Sequence, residues 1–334
     1  MYFDIVMPLT LFLVTIAAML LEKRIERKFK SIFEEKQFSA WNAIVLVVAM
    51  SITISLIVFV PQIAIMTMFL FAYSMVLFIF SYLFSNLPKA KAQLFFKAFL
   101  IISFATAMIS IFSFGANSMV AYGALAFFCL SSFALVALLY EEHRISTEER
   151  WYLAVLPPAS FICLYIFFSR TPIWFPYLLD MYGIVFAVLI TLYLGTLFTW
   201  KTTLIFATLL TVMDIILVLF TGAMVSAARH VSVLRLPVLV SLPTLPAITT
   251  EWGIIYMSLG LGDFFFAGLL GIQTMKKFDK KFAILSVAAM CISFFIFETI
   301  LLNYELRAFP GTLMIICGWL PLVILKVIWK TLKH

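Results

Sequence analysis

From Thr202 to Gly222 the chain reads TTLIFATLLTVMDIILVLFTG, an apolar run interrupted by threonines and by one charge, Asp214. A run of this kind matches the roughly 17–25 residues of helix that cross a bilayer. It decides the fold because most of the chain repeats its character. Of 334 residues, 65% are hydrophobic and 12% charged, and the mean hydropathy is +1.14. Soluble domains run at about 45–50% apolar and about 25% charged. One water-soluble core cannot hide so much apolar surface, so the solvent is lipid. The same figures exclude a disordered chain, a collagen-like repeat and a secreted disulfide scaffold. Cys129, Cys163, Cys291 and Cys317 lie inside apolar runs without metal-like spacing and read as small hydrophobes.

Working outward gives about eleven spanning segments, near 5–21, 43–60, 63–86, 94–114, 119–140, 151–169, 174–198, 202–222, 253–275, 282–303 and 309–331. The expected fold is an all-α polytopic membrane protein of about nine to eleven transmembrane helices. The shortest break falls at Pro61-Gln62, and Pro157-Pro158 either kinks or ends the sixth segment. Glu22-Lys23-Arg24 follow the first segment where a cleavage site would stand, so it reads as a retained span. Alternating the loops collects the basic residues on one side, leaving only Arg170, Arg229, Arg235 and Arg307 of 23 opposite. By the positive-inside rule the N-terminus is outside and the C-terminus cytoplasmic. The net charge of +7 then reflects cytoplasmic loops rather than nucleic acid.

Four acids lie inside or near these spans: Asp180, Asp214, Asp263 and Glu298. A carboxylate at mid-helix costs about 2.5–3.5 kcal/mol on insertion scales, so its presence suggests a task. Asp180, after Pro172 and Pro176, is about one turn inside its helix and in reach of the interface. Glu298 is about one turn from the outer end, near Tyr304 and Glu305, and reads as structural. Asp214 and Asp263 differ from both. Each lies about 18 Å from the cytoplasmic end of its helix, on consecutive antiparallel helices, with no basic residue nearby on the same helix. Either they form a hydrogen-bonded pair that fixes helix packing, or they share one proton as the carboxylates of an aspartic protease do. Asp263 closes Gly260-Leu261-Gly262-Asp263, and Gly253, Gly268 and Gly271 lie along the same segment, so another backbone could approach closely.

With those residues, the region from about Thr202 to the C-terminus resembles the presenilin and signal peptide peptidase family of GxGD intramembrane aspartyl proteases. Asp214 with the following aliphatic run, Gly222 and the Met224-Val225 stretch is similar to the family's first catalytic segment, with Met213 where the family has Tyr. Leu236-Pro237 to Leu242-Pro243 looks like its Pro-bounded strand, and Gly260 to Asp263 matches its second motif in full. Its Pro-Ala-Leu is only partly present, as Pro310-Gly311-Thr312. The resemblance implies Asp214 and Asp263 as catalytic, with Gly260, Leu261, Gly262 and Pro310 as motif positions. It also implies a scaffold of helices over residues 1–200 and a catalytic region over 201–334. The family has nine spans, fewer than the count here. The loop between the aspartate helices falls outside, as in signal peptide peptidase and opposite to presenilin.

The expected activity is hydrolysis of peptide bonds inside transmembrane segments, such as remnant signal peptides or single-span anchors, without metal or cofactor. His143, His230 and His334 all lie outside the spans, which argues against a catalytic triad or a zinc site. Val238, Leu239 and Val240 begin a short strand whose edge could take the unwound substrate by strand addition. The partners are then transmembrane peptides and the bilayer. Short loops favour a prokaryotic plasma membrane, an archaeal one included. Two other readings stay open. A secondary transporter also uses mid-membrane acids, though no inverted repeat stands out. A prepilin-peptidase-like enzyme also uses GxGD, but Phe264-Phe265-Phe266 replaces the polar residue that follows there.

Overall fold

The computed structural model describes residues 2–32, 37–57, 62–114, 117–144, 150–250, 253–304 and 308–332. The expected break at Pro61, and Glu148, Glu149, Glu305, Arg307, Lys333 and His334, lie outside them. In chain order the elements are α1 (Val6–Ile32), α2 (Ala40–Ile57), α3 (Gln62–Leu83), α4 (Lys89–Phe114), α5 (Ser118–His143) and α6 (Trp151–Phe168). Then come α7 (Leu179–Gly195), α8 (Trp200–Ile215), α9 (Ala223–Val233), β1 (Leu239–Pro243), β2 (Thr249–Thr250), β3 (Gly253–Ile254), β4 (Tyr256–Gly260), α10 (Leu261–Lys277), α11 (Lys280–Tyr304) and α12 (Gly311–Leu332). A kink at Phe175, whose backbone is extended, precedes α7, and a short π-helical turn, Ile216–Phe220, follows α8.

Each of the eleven expected segments contains a helix, and among the described residues nine are long and apolar enough to cross a membrane. The chain is therefore a multi-pass, all-α membrane protein. Pro157 and Pro158 sit inside α6 rather than ending it. The segment expected as one span over 253–275 is divided. Its first part holds strands β3 and β4, and the helix begins only at Leu261. The 17-residue α10 is about 25 Å long at 1.5 Å per residue.

The chain forms two compact units, Met1–Gln62 with Leu179–His334, and Ile63–Leu178. This division differs from the expected one at residue 200, because α1 and α7 both pack along α10. In the first unit α10 is the core: every residue from Phe264 to Thr274 is buried. Glycines make that enclosure possible. A Cβ at Gly268 would run into Thr191 of α7, and one at Gly271 would press on Thr15 and Met19 of α1 and Val287 of α11. Polar contacts fix the buried end of the helix. Gln273 Nε2 donates to the Phe198 carbonyl at 2.8 Å, and Trp319 Nε1 to Thr274 Oγ1 at 2.8 Å. At its C-terminus Lys276 reaches Glu22 (2.7 Å) and Glu26 (3.2 Å) of α1. A cation in the last turn also suits the helix dipole.

In the second unit α4, α5 and α6 pack around Phe96, Ala137, Tyr152 and Leu156 at one end and Ala107, Val120, Ala124 and Phe127 at the other. Gly123 of α5 lets Phe167 and Phe168 of α6 approach its backbone.

Candidate active site

Asp214 lies in the last turn of α8, just before the helix widens into its π-turn, and is buried. Asp263 lies in the first turn of α10 and is half-buried. Both carboxylates thus sit at helix ends rather than at mid-helix. Asp214 lies fourteen positions after Trp200, the first residue of α8, and Asp263 fourteen before Lys277, the last of α10, about 21 Å of rise in each case.

A third helix end brings them together. The first turn of α12 donates twice to Asp214 Oδ2, from the Thr312 hydroxyl at 2.7 Å and the Thr312 backbone N–H at 3.2 Å. The preceding residue, Gly311, faces the other acid. A Cβ there would lie 2.5–2.9 Å from the Asp263 carboxylate, so a side chain at this position would displace it. Adjacent residues of one helix therefore touch the two acids. Among the described residues neither acid has a Lys or Arg partner. What compensates their charge is the geometry of helix starts, where unbonded N–H groups and the dipole favour an anion. The first turn of α12 does this for Asp214. Asp263 sits in the first turn of its own helix, its carboxylate beside Gly260, where a Cβ would lie 3.3 Å from Oδ2.

Sequence reasoning named Pro310 and left Gly311 and Thr312 as departures from Pro-Ala-Leu. In the structure those two residues touch the acids, and Pro310 caps the helix, its carbonyl accepting from Met314 N–H at 3.2 Å. The readable signal was a Pro-Gly-Thr helix start whose first N–H groups have no partner within the helix. The GxGD residues divide by role. Gly260 is the N-cap of α10, and Leu261 is buried, with its N–H on the Val238 carbonyl at 2.9 Å. Gly262 is exposed, and a Cβ there would meet nothing within 4 Å.

The expected strand exists, and its neighbours alter its expected use. β1 pairs antiparallel with β4 in the register Leu239↔Gly260, Val240↔Leu259, Ser241↔Ser258. The bonds Leu261 N–H to Val238 O and Thr244 N–H to Ile255 O fix which residues face inward. Val240 and Leu242 bond across to β4, while Leu239, Ser241 and Pro243 turn their backbone groups to the outer edge. That edge is covered by α7. Asp180 Oδ1 accepts the Ser241 N–H at 2.7 Å, and Gly183 packs on Val240 and the Leu239 carbonyl. Residues 238–240 are therefore inner structure rather than a docking edge. The outer edge of β4, with Ser258 and Gly260, runs toward Asp263 instead.

Asp180 itself is buried and bonded to the Ser241 N–H. Glu298 is buried, and neither of its oxygens has a hydrogen-bond partner among the described residues. No protein-family model matches the chain, and no curated protein matches it.

Proposed function

We propose that this chain is an intramembrane aspartyl protease that cuts peptide bonds within transmembrane segments. One carboxylate of the Asp214/Asp263 pair takes a proton from water. The other, protonated, hydrogen-bonds the scissile carbonyl as the water oxygen adds to its carbon. The tetrahedral intermediate then breaks its C–N bond, the nitrogen taking a proton and leaving as an amine. The helix starts of α10 and α12 supply fixed dipoles for the negative charge carried through these steps. The observation that carries the reading is the placement of Gly311 and Thr312, one against each acid.

A peptide bond inside a helix is shielded, so the substrate must unwind and find partners for its freed backbone groups. In this proposal it adds as a strand to the outer edge of β4, which leads its backbone past Gly260 to the acids. The basic loops support an outside N-terminus and the short loops a prokaryotic plasma membrane; in that orientation favoured substrates have a cytoplasmic N-terminus. A proton-coupled carrier would also place acids beside broken helices. Incubating the purified protein in vesicles with transmembrane peptides, each inserted in both orientations, separates these readings. Discrete products by mass spectrometry, mainly from the cytoplasmic-N-terminus form, support the protease. No product from any peptide would leave the carrier reading, and a preference for the opposite orientation would overturn the topology.

A further inference from the structure

A two-stranded hairpin is at best marginally stable on its own. For β4 to offer a substrate one fixed register, something rigid must hold the pair, and the candidate is Asp180. Its carboxylate, in the first turn of α7, accepts the N–H of Ser241, the central residue of β1, at 2.7 Å. Ser241 lies directly opposite Ser258, and their hydroxyls bond at 2.7 Å. Ser258 is the centre of the outer edge of β4, two residues before Gly260, which lies beside the Asp263 carboxylate. A connected line thus runs from α7 through Asp180, Ser241, Ser258 and Gly260 to the acids. Three residues on from Asp180, Gly183 is the close-packing point that seats β1 on the same helix: a Cβ there would come within 2.9 Å of Val240.

We propose that Asp180 is a positioning residue that sets where a substrate is cut, by locking β1 to α7 and so holding the β1–β4 pair firm for a substrate strand that adds to β4 beside Asp263. This inference rests on the protease reading above. The lock also occupies the one outward N–H at the middle of β1, so a substrate strand cannot pair there and is directed to β4. A ladder that slips does so most readily by two residues, because a slip of one exchanges its faces. A loosened lock therefore gives products displaced by two residues.

The test compares wild type, Asp180→Asn and Asp180→Ala in vesicles with one transmembrane peptide, mapping every product by mass spectrometry and measuring kcat and KM. Asp214→Asn serves as the inactive control. Asn keeps an acceptor for Ser241 N–H and should keep the wild-type product pattern. In Asp180→Ala the products displaced by two residues should rise about tenfold relative to the main one, with KM rising more than kcat falls. If wild type cleaves and Asp180→Ala gives the wild-type pattern, the positioning role is overturned while the protease reading stands. Equal loss of turnover in both variants with an unchanged pattern would make Asp180 merely structural. A wild type that cleaves nothing would sink the protease reading, and this inference with it.

Discussion

Glu141 in one unit and the Asp214/Asp263 pair in the other are held in opposite ways. In the unit of α3 to α6, Glu141 is wholly buried, with Arg150 Nε at 2.9 Å, Arg144 Nη1 at 3.5 Å and the Tyr152 hydroxyl against the same oxygen. Arg150 also donates to the Leu87 carbonyl at 2.6 Å, and Lys89 to the Glu142 carbonyl at 2.7 Å. This cluster ties helix ends together, with charge answered by charge. In the other unit Asp214, Asp263 and Asp180 are held by hydroxyls, backbone N–H groups and helix starts, with no cation on them among the described residues. A neutralised acid is inert. One held only by dipoles keeps lone pairs and a proton available, which is the condition for acid–base chemistry.

The contrast breaks most visibly at Glu141. Removing one partner of a buried ion pair leaves the other uncompensated, so Glu141→Ala should cost about 3–5 kcal/mol of stability, read as a lowered unfolding midpoint in detergent. A loss below about 1 kcal/mol would mean that the cluster is already solvated. Next comes Gly311→Ala. Its Cβ cannot coexist with the present position of Asp263. A displacement near 1 Å at reacting groups can cost about a hundredfold in rate, and turnover should fall by that order while the protein still folds. Thr312→Val removes the hydroxyl from Asp214 but keeps the N–H, and about tenfold in kcat/KM is expected, recovered by Thr312→Ser. The smallest effect sharpens the comparison most. Gly262 belongs to the GxGD pattern, yet it faces open space. Gly262→Ala should leave folding and cleavage of a small peptide within about twofold, because no native contact is lost. A collapse of activity there would mean that bound substrate passes closer to this position than the free protein reveals.

The sequence carried the spans and the two acids for plain reasons. Long apolar runs have one interpretation in lipid, and a lone carboxylate in such a run stands out. It did not carry the division of 253–275, because Ile254-Ile255-Tyr256-Met257 is as apolar in a strand as in a helix, and hydropathy is blind to the difference. The Pro-bounded β1 was legible while its partner was not, since register belongs to pairing rather than to either strand. Asp180 near a helix start resembled an interfacial acid; its bond to Ser241, sixty-one residues away, is purely tertiary. α9 was readable in principle. Arg229 and His230 among Ala and Val suit an amphipathic turn, and Gly222, at φ 64°, marks the break before it.

The central claim is that Asp214 and Asp263 act as one unit on water and a peptide bond. Its most direct test is turnover of a transmembrane peptide by wild type, Asp214→Asn, Asp263→Asn and the double variant, with thermal unfolding measured on all four. Each single change should abolish cleavage, the double should be no worse than either, and all four should fold. Wild-type turnover surviving in either single variant would contradict it.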